Sequence, residues 1–270
     1  MKTVTIEHLT ALINQLEEFS EKKIPPQGLE EHLFQWSSLL YAWEEASAWA
    51  YIAYTCHTGD EEAGKVFNFL LDASERIEPL FFEMKKNFLS AQPESYLDLK
   101  TYELLIKLIK GDVELFRPEN VSLGVEEGKL SKDYQSLISD LSIDYRNKTY
   151  TLSQAAGFLE NPDRSMRKEV WEKIYASVAS KKEALLQIYH KQITIRHRQA
   201  RNAGFGNYRD YAHQAKNRFD YTPEDCLLFH ESIQSEVVPL YREILETKRT
   251  LLNYDSLRPY DLKNDAQGRK

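Results

Sequence analysis

The sequence predicts an all-α protein: a multi-helix bundle carrying one short β-hairpin. Three observations lead there. Glycine and proline are sparse, 10 and 9 in 270 residues, which disfavours a turn-dense β architecture. Apolar residues recur at three- and four-residue spacing over long stretches. Several helix starts are sharply punctuated, among them Thr222-Pro223-Glu224-Asp225, with a capping threonine, proline at the first helical position and an acid at the third. The length suffices for a sizeable core, as one large domain or two small ones.

In order along the chain, Ile6, Leu9, Leu12, Ile13, Leu16 and Phe19 form a helical stripe within Thr5 to Ser20, and Pro25-Pro26 then breaks the chain. Leu29 to His57 reads as a long helix whose aromatic residues (Trp36, Tyr41, Trp43, Trp49, Tyr51, Tyr54) belong in the core. Asp60 to Gln92 is a third helix, with a kink expected at Pro79. Glu94 to Lys110 is a fourth, ended by Gly111. These four suggest an up-and-down helical unit. Leu115 to Gly128, with Pro118, Gly124 and Gly128, is expected to be irregular, followed by a helix from about Lys132 to Leu141. Ile143 to Thr151 reads as a hairpin with Asn147-Lys148 at the turn, and Thr151 with Gln154 fits a capping box for the next helix.

The second half is organised around the stretch Asn161 to Pro239. Asn161 reads as an N-cap, Pro162 as the first helical residue and Asp163 as an acid at the positive end of the dipole. A proline-free run then continues to Gly204, a C-cap residue. Unbroken, that helix would reach ~60 Å at about 1.5 Å per residue, so a break or bend is expected within it. Tyr208 and Tyr211 sit on a shorter helix, and the helix from Pro223 carries a second expected kink at Pro239. Leu257 to Leu262 is extended or turn-like, and a polar tail closes the chain at Lys270.

Composition narrows the function classes. A net charge of −7 argues against bulk nucleic-acid binding. Cys56 and Cys226 have no metal-ligand spacing, and nothing suggests an oxidising compartment. The N-terminus is amphipathic and acid-bearing, without the apolar core of a signal peptide, and no run reaches the length of a membrane span, so a cytoplasmic protein is expected. His230-Glu231 is followed by Gln234 where a helix-borne zinc site would place a second histidine, and His190 with His197 offers two candidate ligands and no third. No phosphate loop, serine elbow or CxxC is present. Glu44-Glu45 and Glu61-Glu62 read as solvated faces. Lys191 to Arg218 carries seven basic residues against Asp210 alone. That stretch reads as a basic surface pairing with acids elsewhere; a sharper hypothesis has some of these arginines facing a channel and attracting a peptide carboxylate.

The order of motifs says more. Asn161-Pro162-Asp163-Arg164 with Arg167, then Gly204-Phe205-Gly206-Asn207-Tyr208-Arg209-Asp210-Tyr211, then Arg218 to Pro223, then Leu257-Arg258-Pro259-Tyr260-Asp261-Leu262, resembles the oligoendopeptidase F branch of the M3 zinc metallopeptidases. The likeness spreads from about Tyr150 to Gly268, and the first 110 residues resemble the family's helical N-terminal part in character. The resemblance implies an almost all-helical, two-lobed fold around a deep channel. It also implies hydrolysis of short peptides by one zinc held by HExxH and a downstream glutamate. This sequence has no HExxH, so no catalytic, metal or peptide-binding residue is carried over from the family.

The expectation is an N-terminal portion of such an enzyme, a fragment or the product of an interrupted gene. Residues 1–110 would form a helical bundle, 111–180 an oligoendopeptidase F-type N-terminal domain with the hairpin, and 181–270 the start of the peptidase domain. The chain would supply channel wall and scaffold, inactive alone, with zinc belonging to the full-length enzyme and short peptides and the missing C-terminal catalytic lobe as partners. The alternative is a non-catalytic helical peptide- or protein-binding module. Large exposed apolar patches would favour the first reading.

Overall fold

The computed structural model describes residues 3–24 and 26–267. Pro25, half of the expected break, and the last residues of the polar tail lie outside them; Pro26 opens a 3-10 turn to Gly28. The described residues form twelve α-helices and one antiparallel hairpin. These are α1 (Ile6–Ser20), α2 (Leu29–Cys56), α3 (Glu61–Ser90), α4 (Pro93–Tyr96), α5 (Leu99–Leu115), α6 (Pro118–Ser139), β1 (Ser142–Tyr145), β2 (Lys148–Thr151), α7 (Leu152–Ala156), α8 (Arg164–Ser180), α9 (Lys182–Asn202), α10 (Tyr208–Ala215), α11 (Pro223–Ser232) and α12 (Val238–Leu251). They divide into two compact units, Met1–Gln135 with His190–Asp220, and Ser136–Tyr189 with Tyr221–Lys270.

In the first unit, Thr5 caps α1 and Asp60 caps α3, each side chain accepting from the exposed amides of the first turn. The α1 stripe Leu9, Leu12, Ile13 and Leu16 packs on Trp43 and Ala46 of α2 and Ala73 and Ile77 of α3. A second cluster joins Phe19, Leu33 and Trp36 to Met84 and Phe88 of α3 and Ile106 and Ile109 of α5. The aromatic load of α2 divides rather than entering the core together. Trp36, Trp43 and Tyr54 are buried, Trp49 is half-buried, and Tyr41 and Tyr51 face solvent. Helical geometry forces this division, because six rings over nineteen residues cannot share one face.

One expected helix end moves, and an expected irregular stretch is helical. Pro79 lies inside α3, which runs unbroken through it. Gly111 does not end α5, which starts at the Asp98 cap and continues to Leu115. The expected irregular stretch from Leu115 to Gly128 is instead helix α6, continuous through Gly124 and Gly128. A Cβ at Gly128 would lie 2.9 Å from Leu71 Cδ2 of α3, so a side chain there requires the leucine to shift.

In the second unit, the hairpin pairs Ile143 with Tyr150 and Tyr145 with Lys148. Its turn residues are Arg146 and Asn147, both left-handed at φ 50° and 62°, not Asn147-Lys148. Two successive left-handed residues match the twist of the flanking strands, and asparagine tolerates that conformation well. Ile143 and Tyr145 point inward onto Ala155, Leu159 and Val170. The Thr151–Gln154 capping box forms as the sequence indicates.

The cap of α8 is Asp163 rather than Asn161: its carboxylate accepts from the amides of Ser165 and Met166, and Asn161 accepts from the amide of Asp163 one step earlier. The long run from Pro162 divides at Lys181 into α8 and α9. Gly204, at φ +90°, terminates α9, with the Phe205 amide donating back to the Ala200 carbonyl. The Thr222–Asp225 capping box starts α11, and a π-helical turn, Ile233–Val237, separates it from α12 just before Pro239. The Leu257–Leu262 block contains a 3-10 turn, Pro259–Asp261.

Candidate functional site

Within the second unit, two of the singled-out motifs meet. Arg167 and Asp261 are each fully buried, and Arg167 Nη2 donates to Asp261 Oδ1 at 2.8 Å. Arg167 Nε donates to the Tyr260 carbonyl, and Nη1 to the carbonyls of Asn161 and Pro162. Arg164 forks onto both Asp261 oxygens at 3.1 and 2.8 Å, and its guanidinium lies 3.9 Å from the centre of the Tyr254 ring. The Arg258 amide completes the set on Oδ2 at 2.9 Å. Burial alone would raise the Asp261 carboxyl, but Arg164, the Arg258 amide and Arg167 together outweigh it and hold the group below its ordinary value. With each oxygen accepting twice, this is a saturated clasp that joins the start of α8 to the Pro259–Asp261 turn. It has no lone pair left for chemistry.

The basic stretch from Lys191 to Arg218 lies in the first unit and behaves unevenly. Arg196 pairs with Glu127 of α6 at 2.6 Å, beside Gln199, which donates to the same carboxylate. Arg209 pairs with adjacent Asp210 at 2.8 Å. Lys191, Arg198, Arg201 and Lys216 are exposed. The reading as a surface paired with acids elsewhere therefore holds for Arg196 but does not account for Arg198 and Arg201. His190, His197 and His230 are exposed, and among the described residues none belongs to a group of three or more His, Cys, Asp or Glu placed to hold a metal ion. His32 stacks on Phe19 at 4.6 Å, where burial and then Lys22 lower its pKa.

A cleft of about 400 Å³ opens in the same unit, walled by α3, α5, α6, α9 and α10. Its charged lining is Glu78, Lys85, Asp112 and Arg117, with Phe81, Phe82 and Phe116 beside them. Phe82 and Phe116 stack at 4.1 Å. Sequence reasoning does not reach this cleft, because its lining comes from five helices with no shared motif.

The α11–α12 segment of the second unit contributes no buried residue. Leu240, Ile244 and Leu251 recur at four- and seven-residue spacing on one face of α12, each 55–56% exposed. Leu227, Leu228 and Phe229 add a further apolar run on α11, Phe229 at 64% exposure. Exposure on this scale, in adjacent turns, is an unpartnered face rather than scattered surface residues. No helix among the described residues is long and apolar enough to cross a membrane.

Comparison with known proteins matches two separate stretches of the chain. A family described as Peptidase M3 N-terminal domain matches residues 1–116, and Peptidase family M3 matches residues 158–268. Comparison with curated proteins finds no match. Among solved structures, the chain is similar to a presumptive oligoendopeptidase F (21% identity, TM-score 0.87), covering 97% of this chain and 46% of that one. It is similar to PZ peptidase A solved with an inhibitor (24%, 0.87), covering 96% and 46%. It is also similar to a presumptive oligoendopeptidase F from Bacillus anthracis strain Ames (22%, 0.82), covering 97% and 48%. The chain thus spans less than half the length of these structures, and at such identities the likeness is one of fold.

Proposed function

Since the chain belongs to peptidase family M3, we propose that it forms the N-terminal portion of a zinc-dependent oligoendopeptidase that hydrolyses short peptides in the cytoplasm. On this reading residues 1–110 and 111–180 are scaffold and residues 181–270 begin the peptidase domain. The chain supplies channel wall and support. The observation that carries the reading is the unpartnered apolar face of α11–α12, in a chain matching 46–48% of its structural relatives. A complete globular domain would cover such a face; half of a larger fold leaves it open for the rest.

The zinc that the family implies finds no donor set here. Among the described residues, no three His, Cys, Asp or Glu side chains are placed to hold a metal ion. On this reading the metal site and its water-activating glutamate belong to the catalytic lobe, and this chain's role is to position substrate and support that lobe. The test is a fluorogenic-peptide assay of the purified chain with and without added zinc. No turnover is expected. Chelator-sensitive cleavage together with stoichiometric tight zinc would overturn the assignment.

A further inference from the structure

Among the described residues lining the first unit's cleft, every charged group but one is offset by a protein partner. Lys85 Nζ is held by Asp112 at 2.7 Å. Arg117, just beyond the end of α5, donates Nη1 to the carbonyls of Glu114 and Phe116 at 2.9 and 2.6 Å, so its charge rests on the negative end of that helix. Glu78 makes no hydrogen bond and no ion pair among the described residues, and its near neighbour Lys85 is already committed to Asp112. Burial pushes the Glu78 carboxyl up; Lys85 opposes this and Asp112 adds to it. The side chain is nevertheless open to the solvent of the cleft, beside Phe81 and Phe82. A lone carboxylate, crowded by protein and bordered by aromatic rings, is a site for a cation with an apolar body. A volume of about 400 Å³ lies at the small end of the range for small-molecule sites.

We propose that this cleft binds a primary ammonium group carried on an apolar body of amino-acid size, as in the charged N-terminus or a lysine side chain of a peptide. Glu78 accepts the ammonium's hydrogen bonds, and Phe81, Phe82 and Phe116 pack the body. Asp112 is the poorer acceptor, because Lys85 already occupies it. The inference assigns binding, not chemistry, and does not rest on the peptidase reading.

Calorimetric titration of the full chain with three probes tests it: phenylalanine amide (α-ammonium), N-acetyl-lysine amide (side-chain ammonium) and N-acetyl-phenylalanine amide (uncharged). At least one charged probe is expected to bind saturably, about tenfold or more tighter than the uncharged one. Which charged probe binds identifies the source of the ammonium. Glu78→Gln, isosteric and solvent-facing, is expected to abolish the preference for charge while keeping the wild-type circular dichroism spectrum. Phe82→Leu is expected to weaken all probes that bind. Equal binding of charged and uncharged probes, unchanged binding by Glu78→Gln, or no binding of either charged probe by the folded chain would overturn the proposal.

Discussion

Arg167 and Asp261 stand 94 residues apart in sequence and meet at 2.8 Å with neither side chain exposed. All five Arg167 N–H donors are used: one on Asp261, three on backbone carbonyls and one, at 3.5 Å, on the Tyr254 hydroxyl. A buried pair this fully satisfied is costly to break from one side, because the remaining partner is left charged without compensation. Arg167→Met or Asp261→Ala is expected to cost about 3–5 kcal/mol in urea unfolding. The double substitution should cost clearly less than the sum, since it removes both charges. Additive effects would contradict the clasp.

The same clasp sets a pH dependence. The folded Asp261 carboxyl titrates below its unfolded value, so its contribution is fully present above about pH 4 and is lost as pH falls through the folded value. Wild type is expected to lose stability steeply on acidification, whereas Asp261→Asn, weaker at neutral pH, should show a shallower acid limb. Parallel limbs would show that Asp261 does not carry the effect.

Glu78 has the opposite sign. Its folded value is raised, so the ionised carboxylate is disfavoured by the fold. The cost is absent where the carboxyl is protonated in both states and grows as pH rises past the ordinary glutamate value of about 4.3. Glu78→Gln is therefore expected to melt slightly higher than wild type at pH 7 and to match it below about pH 4. A lower melting temperature at pH 7 would indicate a stabilising partner for the carboxylate.

The two glycines of α6 should respond differently. A Cβ on Gly124 meets nothing within 4 Å, so Gly124→Ala is expected to stabilise by about 0.5–1 kcal/mol through reduced unfolded-state freedom. On Gly128 the Cβ meets Leu71 Cδ2 at 2.9 Å, and Gly128→Val is expected to destabilise by about 1–3 kcal/mol. Thermal melts of the two variants check the contrast.

These glycines also mark where sequence reading stops. Caps written in local chemistry, Thr151 with Gln154 and Thr222 with Asp225, are legible because the residues that satisfy the first-turn amides lie within three positions. Gly111 reads as a terminator, and Gly124 and Gly128 as marks of an irregular stretch, because isolated propensity penalises them, yet tertiary packing around α5 and α6 overrides that penalty of about 1 kcal/mol each. The Arg164–Arg167 block and the Arg258–Asp261 block are both visible as motifs. Their contact is not, because no local period connects residues 94 positions apart. The break of the long helix is foreseeable from its length, but its place at Lys181 is not, since no glycine or proline marks it.

The exposed face of α12 makes its own prediction. Replacing Leu240, Ile244 and Leu251 with glutamate should leave the stability of the chain within about 0.5 kcal/mol per site, because these side chains are already in water. It should also reduce binding of the dye ANS and self-association in sedimentation. A large loss of stability would mean that the face is covered within the chain.

The most direct test is the size of the protein in its source cells, read by immunoblot with an antibody raised against the segment around Tyr208, alongside gel filtration of the same extract. A product near twice the 31.6 kDa of this chain, or a 31.6 kDa product eluting in a complex with a second polypeptide of similar size, is the predicted result. A 31.6 kDa product eluting as a stable, ANS-silent monomer would contradict the reading of the chain as half of an M3 fold with an open docking face.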